Sequence, residues 1–294
     1  MPLQAATTYP LSTVSSHLLA VLFSTAYVGS LYMAKNARIR YSTQNAPSRV
    51  QPGRRDDPAV IRARLAAATI SSIFSCTVIY TLLLRSTSEH PFASTLQVLG
   101  VRWPENLLSC FQAPLIFLGP LYAMFLAGTL PGQSKYSIDR HFFDVFWTWI
   151  GVRNYVMGPL TEEIVFRACV LAVYTMGSAT RWEMIAFAPL VFGLAHVHHA
   201  WDTYNRYGRT SDAFKRAAFS TLFQTAYTTL FGAYASFLLL RTNSLLPPLV
   251  AHIFCNIMGL PQIGDELRRF PAYKRTITAA YIIGIICFAF TLRL

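Results

Sequence analysis

Runs of about twenty mostly apolar residues recur along this chain, near 12–34, 65–84, 107–130, 145–176, 183–200, 217–240, 242–260 and 274–292. A hydrocarbon layer about 30 Å thick is crossed by ~20 helical residues, so the pattern predicts about eight transmembrane helices. The runs lack the two-residue alternation of barrel strands, and backbone groups in lipid must bond internally; the expected fold class is all-α, a polytopic membrane protein forming one domain over residues 1–294. Composition agrees. With 53% hydrophobic and 13% charged residues, against roughly 25% charged in soluble proteins, the chain has too little polar surface for a cytosolic enzyme, a disordered regulator or a coiled coil. The fourth run exceeds one crossing, and its start, residues 142–155, is expected along the interface. The first run is too long for a cleavable signal and residues 1–34 contain no Lys or Arg, predicting a retained helix. Five scattered cysteines form no C-x-x-C pattern and read as small buried hydrophobes.

The formal charge of +12 suits either nucleic acid or anionic lipid, and its placement decides. Lys35, Arg38, Arg40, Arg49, Arg54, Arg55, Arg62 and Arg64 fall in the first loop, Lys135 and Arg140 in the third, Arg206, Arg209, Lys215 and Arg216 in the fifth, and Arg268, Arg269, Lys274 and Arg275 in the seventh. The opposite side holds only Arg85, Arg102, Arg181, Arg241 and Arg293. This bias puts the odd-numbered loops in the cytoplasm, against lipid headgroups, and leaves no concentrated patch for nucleic acid. Residues 35–64 form a basic cytoplasmic loop whose stretch 42–58, rich in Pro, Ser, Gln and Arg, reads as mobile.

Of thirteen acidic residues, only Glu162 and Glu163 sit well inside an apolar run. An ionisable side chain at bilayer depth costs about 2.5–3.5 kcal/mol on insertion scales and marks a functional site by default. Glu163 and Arg167 are four residues apart and share a helix face, which suits a structural ion pair or orientation of the site. Glu162 points about 100° away and has no partner on its own helix. His196, His198 and His199 close the fifth run, and His252 and Asn256 share a face of the seventh. A lone helical histidine is usually a packing residue. Here, however, the topology brings three helices' polar groups to one leaflet, which predicts a polar cavity open to the cytosol.

No Ser or Cys stands in an activating context, so a covalent acyl-enzyme has no evident nucleophile. Glutamate with histidine can deprotonate water, and histidine with asparagine can donate to an oxyanion, which together spell hydrolysis. The same residues leave open a zinc protease, although H-E-x-x-H is absent, and a proton-coupled transporter, although no inverted repeat is visible.

The stretch from Arg153-Asn154 through Pro159-Leu160-Thr161-Glu162-Glu163-Ile164-Val165-Phe166-Arg167 resembles the EExxxR motif of the CAAX prenyl protease 2 family. Phe192–His196 resembles its F-x-x-x-H motif, within 192–199, and His252–Asn256 its H-x-x-x-N motif. The motifs span about 100 residues and each alone is unspecific; three in order on three helices are specific. The resemblance implies a glutamate-dependent intramembrane protease of the endoplasmic reticulum that removes the last three residues of farnesylated or geranylgeranylated C-a-a-X proteins, with no cofactor or metal. It assigns the general base to Glu162, water positioning to His196 and the oxyanion hole to His252 and Asn256, with Glu163 and Arg167 in support. The residues themselves leave His198 and His199 open as the working imidazole. Arg153 is a candidate for docking the substrate's terminal carboxylate, against the plainer role of headgroup anchor.

Overall fold

A computed structural model describes residues 11–39, 55–85 and 90–293, and these residues are helical with no strand among them. We label the main helices α1 (Thr13–Met33), α2 (Pro58–Leu84), α3 (Pro91–Val98), α4 (Leu107–Ile116), α5 (Leu118–Ala127), α6 (139–146), α7 (149–176), α8 (Arg181–Ala195), α9 (His198–Arg206), α10 (Ser211–Thr242), α11 (Leu246–Met258), α12 (Ile263–Arg269) and α13 (Lys274–Thr291). Local chemistry sets several starts. Asp57 caps α2 by accepting from the Ala59 N–H at 2.9 Å, with Pro58 in the first turn where its missing N–H costs nothing. Thr180 and Glu183 form a capping box at α8, each side chain accepting from the other's backbone N–H.

Among the described residues, helix length and apolarity do not confirm all eight expected crossings. Four helices are long and apolar enough, namely α1, α2, Arg181–Arg206 and Pro271–Thr291, and six if the pairs α4/α5 and α11/α12, bent by 73° and 51°, each count as one span. Two further long helices, α7 and α10, fall outside that count, and α7 carries Glu162, Glu163 and Arg167. Much of the expected loop 35–64 lies outside the described residues; at its described ends Lys35–Ala37 is a 3₁₀ turn, and Arg62 and Arg64 belong to the first turns of α2. The fourth run is broken once, where α6 ends at Phe146 and α7 begins at Trp149, so residues 149–155, expected along the interface, continue into α7; Trp147 and Trp149 are exposed at the break.

At the centre lies α7, every residue from 165 to 174 buried, as expected of a helix that is apolar all round. Its neighbours are α1, α2, α6, α8, α10 and α11. Tyr27 of α1 packs edge-on against Phe166, and the Ser16 hydroxyl donates to the Val173 carbonyl at 2.9 Å. Outward faces are apolar and exposed, with Leu18 and Ile70 on α1 and α2, Phe219, Leu222 and Leu230 on α10, and Ile282 and Ile286 on α13. Such surface needs lipid rather than water, and the protein is a multi-pass membrane protein.

Helices α8 and α10 approach closely at small residues, the usual device where lipid removes a hydrophobic drive between helices. A Cβ at Gly193 would collide with the Thr229 side chain and meet the Thr225 carbonyl at 3.2 Å. Gly193→Val is therefore expected to lower stability by about 1–3 kcal/mol through overpacking, read as a lower melting temperature in detergent. An unchanged melting temperature would refute the close approach.

Candidate active site

Two π-helical segments, Val152–Met157 and Ile164–Cys169, flank the single α-helical turn Gly158–Glu163 of α7. Such interruptions are rare and cluster at functional sites. The first has a backbone consequence. The Gly158 N–H bonds back to the Arg153 carbonyl, and five residues beyond Asn154 stands Pro159, which has no N–H. The Asn154 carbonyl is thus left without an intrahelical donor, and Asn256 Nδ2 on α11 donates to it at 2.9 Å. One bond thereby both satisfies a freed backbone acceptor and fixes the Asn256 amide. Asn154 was singled out only as part of the resembling stretch; the signal for its freed carbonyl is Pro159 at that spacing. Just beyond Asn256, α11 stops at Gly259, whose φ of 65° and ψ of −157° only glycine adopts readily.

Glu162 and Glu163 straddle the imidazole of His252. Glu163 Oε1 accepts from His252 Nδ1 at 2.7 Å, while Glu162 Oε2 lies 3.7 Å from Nε2. The Glu163 carboxylate thus fixes a proton on Nδ1 and turns Nε2 toward Glu162. Glu163 also pairs with Arg167 Nε at 3.2 Å, and both side chains are buried, 0% and 1% exposed. The pair expected from the sequence is present, and its acid simultaneously holds a histidine from another helix. Glu162, 26% exposed, opens onto solvent-accessible space instead. The Arg167 guanidinium stacks on Phe192 at 4.0 Å and faces Phe231 at 5.5 Å, so ring faces supplement its one carboxylate.

Phe192 explains the first position of the second motif. Besides supporting Arg167, its ring contacts His196 edge-on at 4.7 Å and its carbonyl accepts from His196 Nδ1 at 2.8 Å. That bond leaves Nε2 of His196 as the free acceptor. Tight i→i+3 bonds through residues 193–199 turn the chain between α8 and α9 and gather three imidazoles. His198 donates through Nδ1 to the Ala195 carbonyl at 2.6 Å, lies tilted against His199 with ring centroids 4.0 Å apart, and meets Tyr32 of α1 edge-on. His199 lies 3.8 Å from Asp202.

The acid, imidazole and amide groups central to this arrangement border one cavity of about 580 Å³. Glu162, His196, His198, His199, His252 and Asn256 line it, so the structure brings together the predicted set without separating His196 from its two neighbours. Val28, Leu31, Leu65 and Phe117 supply an apolar wall. Thr161, beside Glu162, is fixed by the Tyr27 hydroxyl at 2.9 Å, a contact the sequence did not suggest. Arg153 also lines the cavity, but its guanidinium is engaged by Asp56 at 3.0 Å, the Arg55 carbonyl at 2.8 Å and the Asn154 side chain at 2.9 Å. Among the described residues no three His, Cys, Asp or Glu side chains are grouped as a metal ion would require.

Residues 144–258, which carry all three motifs, match the family described as Type II CAAX prenyl endopeptidase Rce1-like. The chain is 33% identical over 280 residues to the probable CAAX prenyl protease 2 of Schizosaccharomyces pombe, covering 94% of this chain and 92% of that protein. Identity to the CAAX prenyl protease 2 of Homo sapiens is 33% over 276 residues, covering 88% of this chain and 74% of the relative. The Caenorhabditis elegans CAAX prenyl protease 2 is also 33% identical, over 249 residues, with 80% and 85% covered. No solved structure matches the chain. Similarity of this extent to full-length relatives shows that the chain belongs to the CAAX prenyl protease 2 family.

Proposed function

We propose that this protein is an endoprotease of the endoplasmic reticulum membrane that removes the C-terminal aaX tripeptide from farnesylated or geranylgeranylated CAAX proteins. The observation that carries the reading is the placement of Glu162 and His252 Nε2, on different helices, 3.7 Å apart at the wall of one cavity. That separation exceeds a direct hydrogen bond, yet a water about 2.8 Å from each atom fits at the apex of the triangle they form.

In this mechanism Glu162 takes a proton from water as its oxygen attacks the scissile carbonyl. The Nε2 lone pair of His196, exposed by the Nδ1 bond to Phe192, accepts the water's other hydrogen and orients it. Charge developing on the carbonyl oxygen is met by the Asn256 amide, which has a second N–H beyond the one given to Asn154, with the His252 ring beside it. Collapse of the tetrahedral intermediate returns the proton from Glu162 to the departing amine, releasing the tripeptide. Glu163 and Arg167 are positioning residues, acting through His252.

The cavity's composition suits the substrate. A prenyl chain gains about 0.8 kcal/mol per CH₂ in apolar surroundings and holds the modified C-terminus at the membrane. Arg55, Arg64, Gly259 and Pro261 border the cavity, and all come from the odd-numbered side that the basic bias assigns to the cytosol. Membranes containing the protein are expected to release the tripeptide from a farnesylated C-a-a-X peptide, detected by mass spectrometry, and not from the unprenylated peptide. Release is expected to survive a membrane-permeant chelator. Solute flux without peptide product would instead identify a transporter, and activity lost to the chelator and restored by zinc would identify a metal mechanism.

A further inference from the structure

We propose that Arg64 is the receptor for the substrate's free C-terminal carboxylate and so sets where the chain is cut; the inference rests on the tripeptide-removing activity proposed above. Three arginines border the cavity, Arg55, Arg64 and Arg153. Arg153 is already neutralised by Asp56. Arg64 is half-buried on α2, and among the described residues no carboxylate lies within ion-pair distance of it. Its Nε donates to the Ala37 carbonyl at 3.0 Å and its guanidinium faces the Tyr32 ring at 5.7 Å. These contacts hold the planar group beside the Tyr32 hydroxyl, with which it interacts, and Nη2 is buried without a well-formed hydrogen bond. A partly desolvated cation with an unmet donor is unfavourable until an anion supplies the acceptor, and a carboxylate suits the planar fork.

Distance along α2 makes the substrate's carboxylate the matching anion. Ser72 of α2 donates toward the Thr161 carbonyl at 3.5 Å, so it marks the level of Glu162. Arg64 is eight residues earlier, about 12 Å along the axis. Three extended residues span at most ~10–11 Å, within about 2 Å of that separation, a difference the length of the arginine side chain can close between a scissile carbonyl at Glu162 and the terminal carboxylate. A peptide anchored at Arg64 therefore presents its third bond from the end to the catalytic water. A longer tail overshoots and a shorter one falls short.

The test compares a farnesylated C-a-a-X peptide ending in a free acid with its C-terminal amide, using the full-length protein in membranes. Wild type is expected to cleave the acid about 10- to 100-fold better in kcat/KM, as befits a hydrogen bond to a charged group. Arg64→Gln should lose that preference, slowing on the acid and little changed on the amide, and Arg64→Lys should retain part of it. Because the acid-to-amide ratio is read within one preparation, it does not depend on how much variant folds. Equal cleavage of acid and amide by wild type would overturn the proposal, as would an undiminished ratio in Arg64→Gln. So would inactivity of both variants on both peptides, because the amide does not need a carboxylate receptor. None of these outcomes touches the protease reading, which fails only if wild type releases no tripeptide at all.

Discussion

Glu162→Gln is expected to cut cleavage of a farnesylated C-a-a-X peptide by about 10²–10⁴-fold, the contribution of a well-placed general base, while leaving the fold intact. Both halves follow from position. The amide has the size of the carboxylate but cannot take the proton from water, so the loss should fall on kcat with little change in KM. Glu162 borders the cavity at 26% exposure, and among the described residues the His252 ring is its one cationic partner within ion-pair distance. Neutralising it strands no buried charge, and the melting temperature should stay near wild type. His198→Ala should be much milder, since that ring spends its contacts on Ala195, His199 and Tyr32. Cleavage by Glu162→Gln at the wild-type rate would end the proposed mechanism, and an inactive His198→Ala beside an active His196→Ala would reassign the working imidazole.

How far the sequence foretold this site depended on whether the relevant physics is local or between helices. The all-helical class and the positions of the long helices were legible because lipid enforces long apolar runs. The Glu163–Arg167 pair was legible from its four-residue spacing. The count of eight crossings is not confirmed, for a plain reason: hydropathy reports apolar residues and not the path of the backbone. It could not show that the 107–130 run bends by 73° between α4 and α5, or that the seventh run gives a short α11 and a bent continuation. Contacts between helices were hidden as well. Nothing in the local pattern says that Glu163 reaches Nδ1 of His252, 89 residues on, or that Asn256 completes a carbonyl freed by Pro159. Spacing marks which side chains share a face; only packing decides which face meets which.

Glu163→Leu is expected to be among the most destabilising single changes in the molecule, at about 3–5 kcal/mol, the usual cost of leaving one member of a buried ion pair alone. Arg167 is 1% exposed and Glu163 is the carboxylate within ion-pair distance of it among the described residues, so the substitution leaves a cation in a site that water does not reach. Arg167→Met is the reciprocal change and should cost less, because the Glu163 carboxylate keeps its 2.7 Å bond to His252. The double variant Glu163→Leu/Arg167→Met removes both charges and should recover much of the stability lost by Glu163→Leu, since apolar replacements of similar volume often match a buried pair. Activity should not recover with it. Without Glu163 nothing fixes the Nδ1 proton or aims Nε2 of His252 at Glu162, and a stable double variant is expected to cleave as poorly as the single. Thermal unfolding in detergent beside the peptide assay separates the two effects. Costs that simply add in the double variant would mean the residues do not act as a pair, whereas activity returning together with stability would mean that Glu163 holds up the fold and contributes nothing to the alignment of His252.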